Sequence, residues 1–194
     1  KTEAEWVARL HQYVSQHPDT HVALLRNQKE WGFLGFYPDF VLWLKRDGLE
    51  HIAFLDPKGL TLHNTEDVVS KLLFSLMLDA LEQRVVAEHP HIRLSSFILL
   101  NHPLSYYLNN SSQRVLLTEA CNRLLQQHLL GSADTAPVQW SEDELQQILH
   151  ALNAREISQH SGDLLDDIVN DDHLLRKEQL TNYLRRSIPA DTQT

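Results

Sequence analysis

Residues 37–59, with the sequence YPDFVLWLKRDGLEHIAFLDPKG, contain two short apolar runs separated by a turn signal. The runs are residues 40–44 and 52–55, each of the length expected for a buried strand. Asp47-Gly48 lies in the turn between them, and a proline and a glycine end the second run. The stretch therefore predicts two neighbouring strands joined through the Asp47-Gly48 turn.

The segments on either side predict the rest of an α/β core. Before the hairpin, apolar residues at helical spacing predict a helix over residues 2–16, and a short apolar run predicts a strand over 22–25. After it, a broad apolar stripe predicts a helix over 65–86, and a further apolar run predicts a strand over 95–100. We expect these elements to form one domain, residues 1–108.

Residues 109–194 have a different character and predict a helical extension. Amphipathic helices are expected over residues 112–130, 141–154 and 163–187. The extension could act as a lid, a docking surface or a homodimer interface. The dimer alternative rests on apolar residues of the last predicted helix, which are Leu164, Leu165, Ile168, Leu175, Leu180 and Leu184.

Composition limits the classes of protein to which the chain can belong. Its 194 residues carry 17 Lys and Arg against 26 Asp and Glu, a net charge of −9. Since phosphate neutralisation supplies most sequence-independent affinity for nucleic acid, this balance is unlike that of a chain that binds DNA or RNA alone. No run of about 18 apolar residues predicts a membrane span, and the start lacks the pattern of a secretory signal. The single Cys121 indicates a reducing cytoplasm, and Lys at position 1 suggests a piece of a longer protein.

Acidic and basic side chains converge where the two predicted strands end. Because side chains alternate along a strand, Asp56 and Lys58 point to the same face as Phe54. If the segment that begins at Pro38 pairs through the turn, Asp39 lies on the adjacent strand. Mg²⁺ typically takes one or two carboxylates and keeps waters and phosphate oxygens as its other ligands. Two carboxylates and an ammonium therefore indicate a metal site for phosphodiester hydrolysis, with Mn²⁺ as a substitute for Mg²⁺.

A third carboxylate could come from the first predicted helix, where Glu3 and Glu5 are the candidates. Glu3 falls on the apolar face of that helix, whereas Glu5 falls on the opposite side and already fits a capping box with Thr2. A carboxylate directed at a sheet needs a partner such as a metal. Glu3 is therefore the preferred candidate, with a solvent-exposed Glu3 as the alternative.

At these residues the sequence resembles the PD-(D/E)xK nuclease superfamily. Pro38-Asp39 matches the first half of its motif, and Asp56-Pro57-Lys58 matches the second. Within that superfamily, three segments are similar to the nuclease domain at the end of type III restriction-type DEAD/DEAH helicases. They are Leu24-Leu25-Arg26-Asn27, residues 36–43 and residues 54–59, within a region of about residues 20–100.

The resemblance implies a restriction-endonuclease-like fold, a mixed sheet flanked by helices. It also implies a Mg²⁺-dependent DNA endonuclease in which Asp39 and Asp56 hold the metal, Lys58 is catalytic and Glu3 is an extra ligand or orienting group. A helicase or translocase partner, in the same chain or the same complex, is implied as well, commonly in defence against phage.

Several alternatives stay open at the level of the sequence. Arg26 and Lys71 are candidate DNA contacts, although Arg26 could merely close a loop and Lys71 could be solvated. Asp39 and Asp56 could each be explained by turn chemistry alone. A non-catalytic interaction module with the nuclease fold, within a larger helicase assembly, is the alternative function. A nuclease that acts on RNA is a third.

Overall fold

The computed structural model describes residues 2–27, 37–57, 65–130, 136–156, 161–170 and 182. A π-helical segment, Leu125–Leu130, directly follows the helix that ends at Leu124. The helices and strands in chain order are α1 (Thr2–Gln16), β1 (His21–Arg26), β2 (Phe40–Arg46), β3 (Leu49–Asp56), α2 (Thr65–Glu88), β4 (Ile92–Leu100), α3 (Leu104–Asn109), α4 (Ser111–Leu124), α5 (Glu142–Ala151), β5 (Ala154–Glu156) and α6 (Ser161–Val169).

The strands form one mixed sheet in the order β1-β2-β3-β4-β5. Neighbours are antiparallel from β1 to β3, whereas β4 is parallel to β3 and β5 is parallel to β4. A parallel pair needs a crossover connection, and α2 supplies it between β3 and β4. The predicted α/β architecture, a mixed sheet flanked by helices, is confirmed and is consistent with a restriction-endonuclease-like fold.

The hairpin of β2 and β3 follows from its two-residue turn. Asp47 and Gly48 both have positive φ, 52° and 79°. This is the backbone that tight hairpin turns need in order to match the right-handed twist of the strands. The register runs from Arg46 opposite Leu49 to Phe40 opposite Leu55. The predicted pairing of these two segments through the turn is confirmed.

Helices cover the sheet on both faces. Because side chains alternate along each strand, the strands contribute apolar residues to the core on each face. We call these the α1 face and the α2 face. On the α1 face, α1 and α6 pack on residues of β2, β3 and β4, with Trp6, Leu10, Leu42, Leu55, Phe97 and Leu165 among the buried side chains. On the α2 face, α2 packs on β3 and β4 and also on α4 and α5, with Val68, Leu72, Phe74, Ile98, Leu117 and Leu145 among the buried side chains.

The residues beyond 109 complete both the sheet and the core. Ala154 pairs with Ile98, so β5 adds a parallel strand beside β4. The prediction of a helix over 141–154 is therefore wrong at its end, since α5 stops at Ala151 and Asn153 has a positive φ of 56°. Asn tolerates this left-handed backbone, which reverses the chain after a helix. The extension is not helical throughout.

The apolar side of α6 packs against other parts of the same chain. Leu164, Leu165 and Ile168 are buried in the α1-face core, with at most 6% of their surface exposed. Packing within one chain therefore explains their apolar character, so these three residues do not support a homodimer interface. Leu175, Leu180 and Leu184 lie outside the described residues, as do residues 28–36 and 58–64.

None of the described helices combines the length and the apolar character that a membrane span requires.

Candidate functional site

Asp56 is the last residue of β3 and is almost fully buried. Its side chain has 6% of its surface exposed. By strand alternation it belongs to the α2 face together with Ile52 and Phe54, which pack against Phe74 of α2. A carboxylate so far from water needs polar or cationic partners, because an isolated buried charge is very costly.

Asp39 lies immediately before β2, at the same end of the sheet. The β2–β3 register ends with Phe40 opposite Leu55, and one further step places Asp39 opposite Asp56. Directly opposite residues in an antiparallel pair have Cα atoms about 4.5 to 5.5 Å apart and side chains on the same face. The Asn27 backbone N–H donates to the Asp39 carbonyl oxygen at 2.9 Å, which holds the Asp39 main chain in line with β1. Asp39 and Asp56 therefore lie at neighbouring positions at one corner of the sheet.

Lys71 of α2 reaches this corner. Its Nζ lies 2.7 Å from Oδ2 of Asp56, and only 13% of the Lys71 side chain is exposed. From the sequence, Lys71 could be a solvated residue or a DNA contact; its burial shows that the solvated interpretation is wrong. The helical spacing of Lys71 was a signal of this burial. Lys71 follows buried Val68 by three residues and precedes Ser75 by four. Ser75 contacts Ser96 of β4. Residues at these spacings share one face of a helix.

Glu3 and Arg26 lie at the same end of the sheet but belong to the α1 face. The Trp6 ring is 5.9 Å from the Phe40 ring, so the first turns of α1 are close to the start of β2, which directly follows Asp39. Arg26 is opposite Phe40 in the β1–β2 register and is exposed. Arg26 would have to reach around the end of the sheet to meet Asp56. The side chain of Glu3 lies outside the described part of the chain, so its role as a ligand stays a prediction, as does the DNA role of Arg26.

Lys58, which the resemblance makes catalytic, also lies outside the described residues. In the sequence, Lys58 lies between Pro57, which follows the end of β3, and Thr65, the first residue of α2. The catalytic role of Lys58 therefore stays a prediction.

The donor groups of this corner fit a hard divalent cation better than a soft one. Two carboxylates agree with Mg²⁺, which takes one or two of them and completes its octahedron with waters and phosphate oxygens. Among the residues that the structure describes, no three or more His, Cys, Asp or Glu side chains converge on a metal position. Cys121 is fully buried elsewhere, and burial raises the pKa of its thiol to about 12, so it remains a neutral thiol at ordinary pH.

Comparison of the chain with protein-family models, with curated proteins and with solved structures gave no match. Function is therefore inferred from the positions of Asp39, Asp56 and Lys71 at this corner of the sheet and from the motif residues around them.

Proposed function

We propose that this chain is a Mg²⁺-dependent endodeoxyribonuclease domain of the PD-(D/E)xK type. The observation that supports it is the β2–β3 register, which ends with Phe40 opposite Leu55 and so leaves Asp39 and Asp56 at the next positions of the two neighbouring segments. The motif assigns its two metal carboxylates to these same positions. Turn chemistry could explain each aspartate separately, but it gives no reason for their meeting on neighbouring strands.

In this proposal the chain's own residues divide the work of phosphodiester hydrolysis. Asp39 and Asp56 hold the cation, Lys58 positions the attacking water, and Glu3 is an extra ligand or orienting group. Mg²⁺ in such a site acidifies water and stabilises the charge that builds on the phosphate oxygens. Arg26, at the end of β1, contacts the DNA backbone beside the site.

The acidic balance of the chain supports a partner that delivers the DNA. With a net charge of −9, the chain has little electrostatic attraction for phosphates. We propose that a helicase or translocase, in the same polypeptide or in the same complex, brings DNA to the site. A cytoplasmic restriction or anti-phage defence system is the setting that the motif resemblance suggests.

Plasmid cleavage tests the proposal. Cleavage in Mg²⁺ or Mn²⁺ by the chain, with its partner motor where one is encoded beside it, is expected to be lost in Asp39→Asn, Asp56→Asn and Lys58→Ala. Asp47→Asn is the matched control, because Asp47 is an 85% exposed aspartate in the hairpin turn, at the far end of the strands that carry the site. Full cleavage by the folded Asp56→Asn and Lys58→Ala variants contradicts the proposal. Cleavage of RNA but not DNA assigns the site to an RNA nuclease instead.

One observation favours a second candidate, a non-catalytic interaction module. Asp56 already has a cationic partner in Lys71, and a buried ion pair of this kind can belong to the core alone. Calorimetric titration with Mn²⁺ separates the two candidates. Heat of binding that disappears in Asp56→Asn supports the nuclease, whereas no binding, even with partner and DNA present, supports the module.

A further inference from the structure

We propose that Lys71 is a tethered counter-ion that a divalent cation must displace from Asp56, and that it thereby sets the metal affinity of the site. This inference rests on the proposed function, because it takes Asp56 as a metal ligand. It assigns Lys71 a role as a positioning residue that acts through Asp56, in place of a direct contact with DNA.

Lys71 and Asp56 are in direct contact. At 2.7 Å from Oδ2, Lys71 Nζ is within the range of a short, charge-assisted hydrogen bond. A Mg²⁺ ion bonded to the same oxygen at about 2.1 Å would lie close to that ammonium. Since like charges at such separations repel strongly where water is scarce, Lys71 and the cation cannot both stay at Oδ2 without a large penalty.

The side chains of Asp56 and Lys71 are also largely buried. With 6% of the Asp56 side chain and 13% of the Lys71 side chain exposed, water screens this pair weakly. The buried carboxylate is stable only with a positive charge beside it, and in the metal-free chain Lys71 supplies that charge. Lys71 thus holds the Asp56 side chain in place before any metal binds.

The ammonium group of Lys71 can move while its backbone stays fixed. The Lys71 Cα is fixed in the second turn of α2, between buried Val68 and Leu72. Its four-carbon stem allows the ammonium to move towards solvent while the apolar part remains packed. Displacement by metal therefore requires only a rotation of the Lys71 side chain.

Isothermal titration of the 194-residue chain with Mn²⁺, repeated with Mg²⁺, tests this role. Removal of the competing charge in Lys71→Gln is expected to lower the Kd by about tenfold, a change of about 1.4 kcal/mol. Lys71→Arg keeps the charge and is expected to bind no more tightly than wild type. Lys45→Gln is the matched control, since Lys45 pairs with Glu50 at the other end of the hairpin and is 57% exposed. A second readout is the rise of Tm with metal, which is expected to be larger for Lys71→Gln than for wild type.

The outcomes separate this inference from the function on which it rests. Metal binding by wild type with equal or weaker binding by folded Lys71→Gln overturns the role of Lys71 and leaves the metal site in place. Absence of binding in both proteins, even with partner and DNA present, overturns the proposed function itself. Should Lys71→Gln fail to fold, as judged by circular dichroism, Lys71→Met keeps the stem packed and takes its place in the same comparison.

Discussion

Lys71 Nζ and Asp56 Oδ2 lie 2.7 Å apart, and this ion pair joins the end of β3 to the second turn of α2. The two residues are fifteen positions apart in the sequence, and the connection between them includes residues 58–64. The pair therefore fixes the position of the helix relative to the strand end at the point where the candidate site lies. It has consequences for stability whether or not a metal binds.

The first prediction concerns the stability of the metal-free chain. Asp56→Leu is expected to cost about 2 to 4 kcal/mol in the free energy of unfolding, because it leaves the Lys71 ammonium buried without this carboxylate. The double variant Asp56→Leu/Lys71→Met is expected to be less destabilised, since an apolar pair fills the same space without an uncompensated charge. Urea unfolding of wild type, both single variants and the double variant in EDTA measures the coupling. Strictly additive losses would show that the two side chains are energetically independent.

The second prediction concerns the turn that sets the β2–β3 register. Gly48 has φ of 79°, a conformation that side chains rarely adopt, although a Cβ there would meet no atom within 4 Å. Gly48→Ala is therefore expected to lose about 1 kcal/mol from backbone strain alone, without a steric clash.

Asp47→Gly is the matched comparison, because Asp47 also has positive φ, at 52°. Relief of strain at that position offsets the greater flexibility of glycine, so little change is expected. Thermal unfolding of the two variants provides the measurement. A Gly48→Ala variant as stable as wild type would mean that the turn relaxes to another type.

The hairpin could be predicted from the sequence because its determinants are local. The Asp47-Gly48 turn and the two apolar runs lie within residues 40–55, and their pairing is sufficient to predict that Asp39 and Asp56 lie on adjacent strands. The first helix was predicted with the bounds that the structure has, Thr2–Gln16, for the same reason. Local turn chemistry and helical spacing are sufficient for both.

The contacts that could not be predicted are non-local. Strand β5 has three residues, Ala154-Arg155-Glu156, which form no apolar run, and it exists because Ile98 and its neighbours on β4 offer an edge for pairing. Lys71 lies within an apolar stripe, where a long cationic side chain is more often directed to solvent. Only the placement of α2 over the end of β3 turns it into a partner of Asp56.

The third prediction is a loss of stability in alkali that depends on Cys121. Burial raises the pKa of this thiol from 9.0 to about 12, so the folded chain holds the proton over a range where the unfolded chain releases it. This contribution is fully present below about pH 9 and is lost as the pH rises towards 12.

Urea unfolding at increasing pH, with Cys121→Ala as the comparison, measures that loss. Between about pH 8 and pH 10, wild type is expected to lose about 1 kcal/mol more than the variant. The comparison is needed because burial also raises the pKa of Tyr107, which adds a similar trend in both proteins. In native wild type at pH 8, a thiol reagent is expected to react only as fast as the chain unfolds. Rapid labelling would contradict the buried, neutral thiol.

The fourth prediction concerns the affinity of the chain for DNA. Because the net charge is −9, binding of a fluorescent duplex in EDTA is expected to be weaker than about 10⁻⁴ M at physiological salt, and measurable only at low salt. Arg26→Gln is expected to weaken this low-salt binding for all sequences and to reduce the slope of log K against log salt by about 1, as for a single phosphate contact. Arg46→Gln is the matched control, since Arg46 lies at the opposite end of the sheet and pairs with Asp166. Equal effects of the two substitutions would show that Arg26 contributes only general charge, and tight, salt-resistant binding by wild type would remove the need for a partner that delivers DNA.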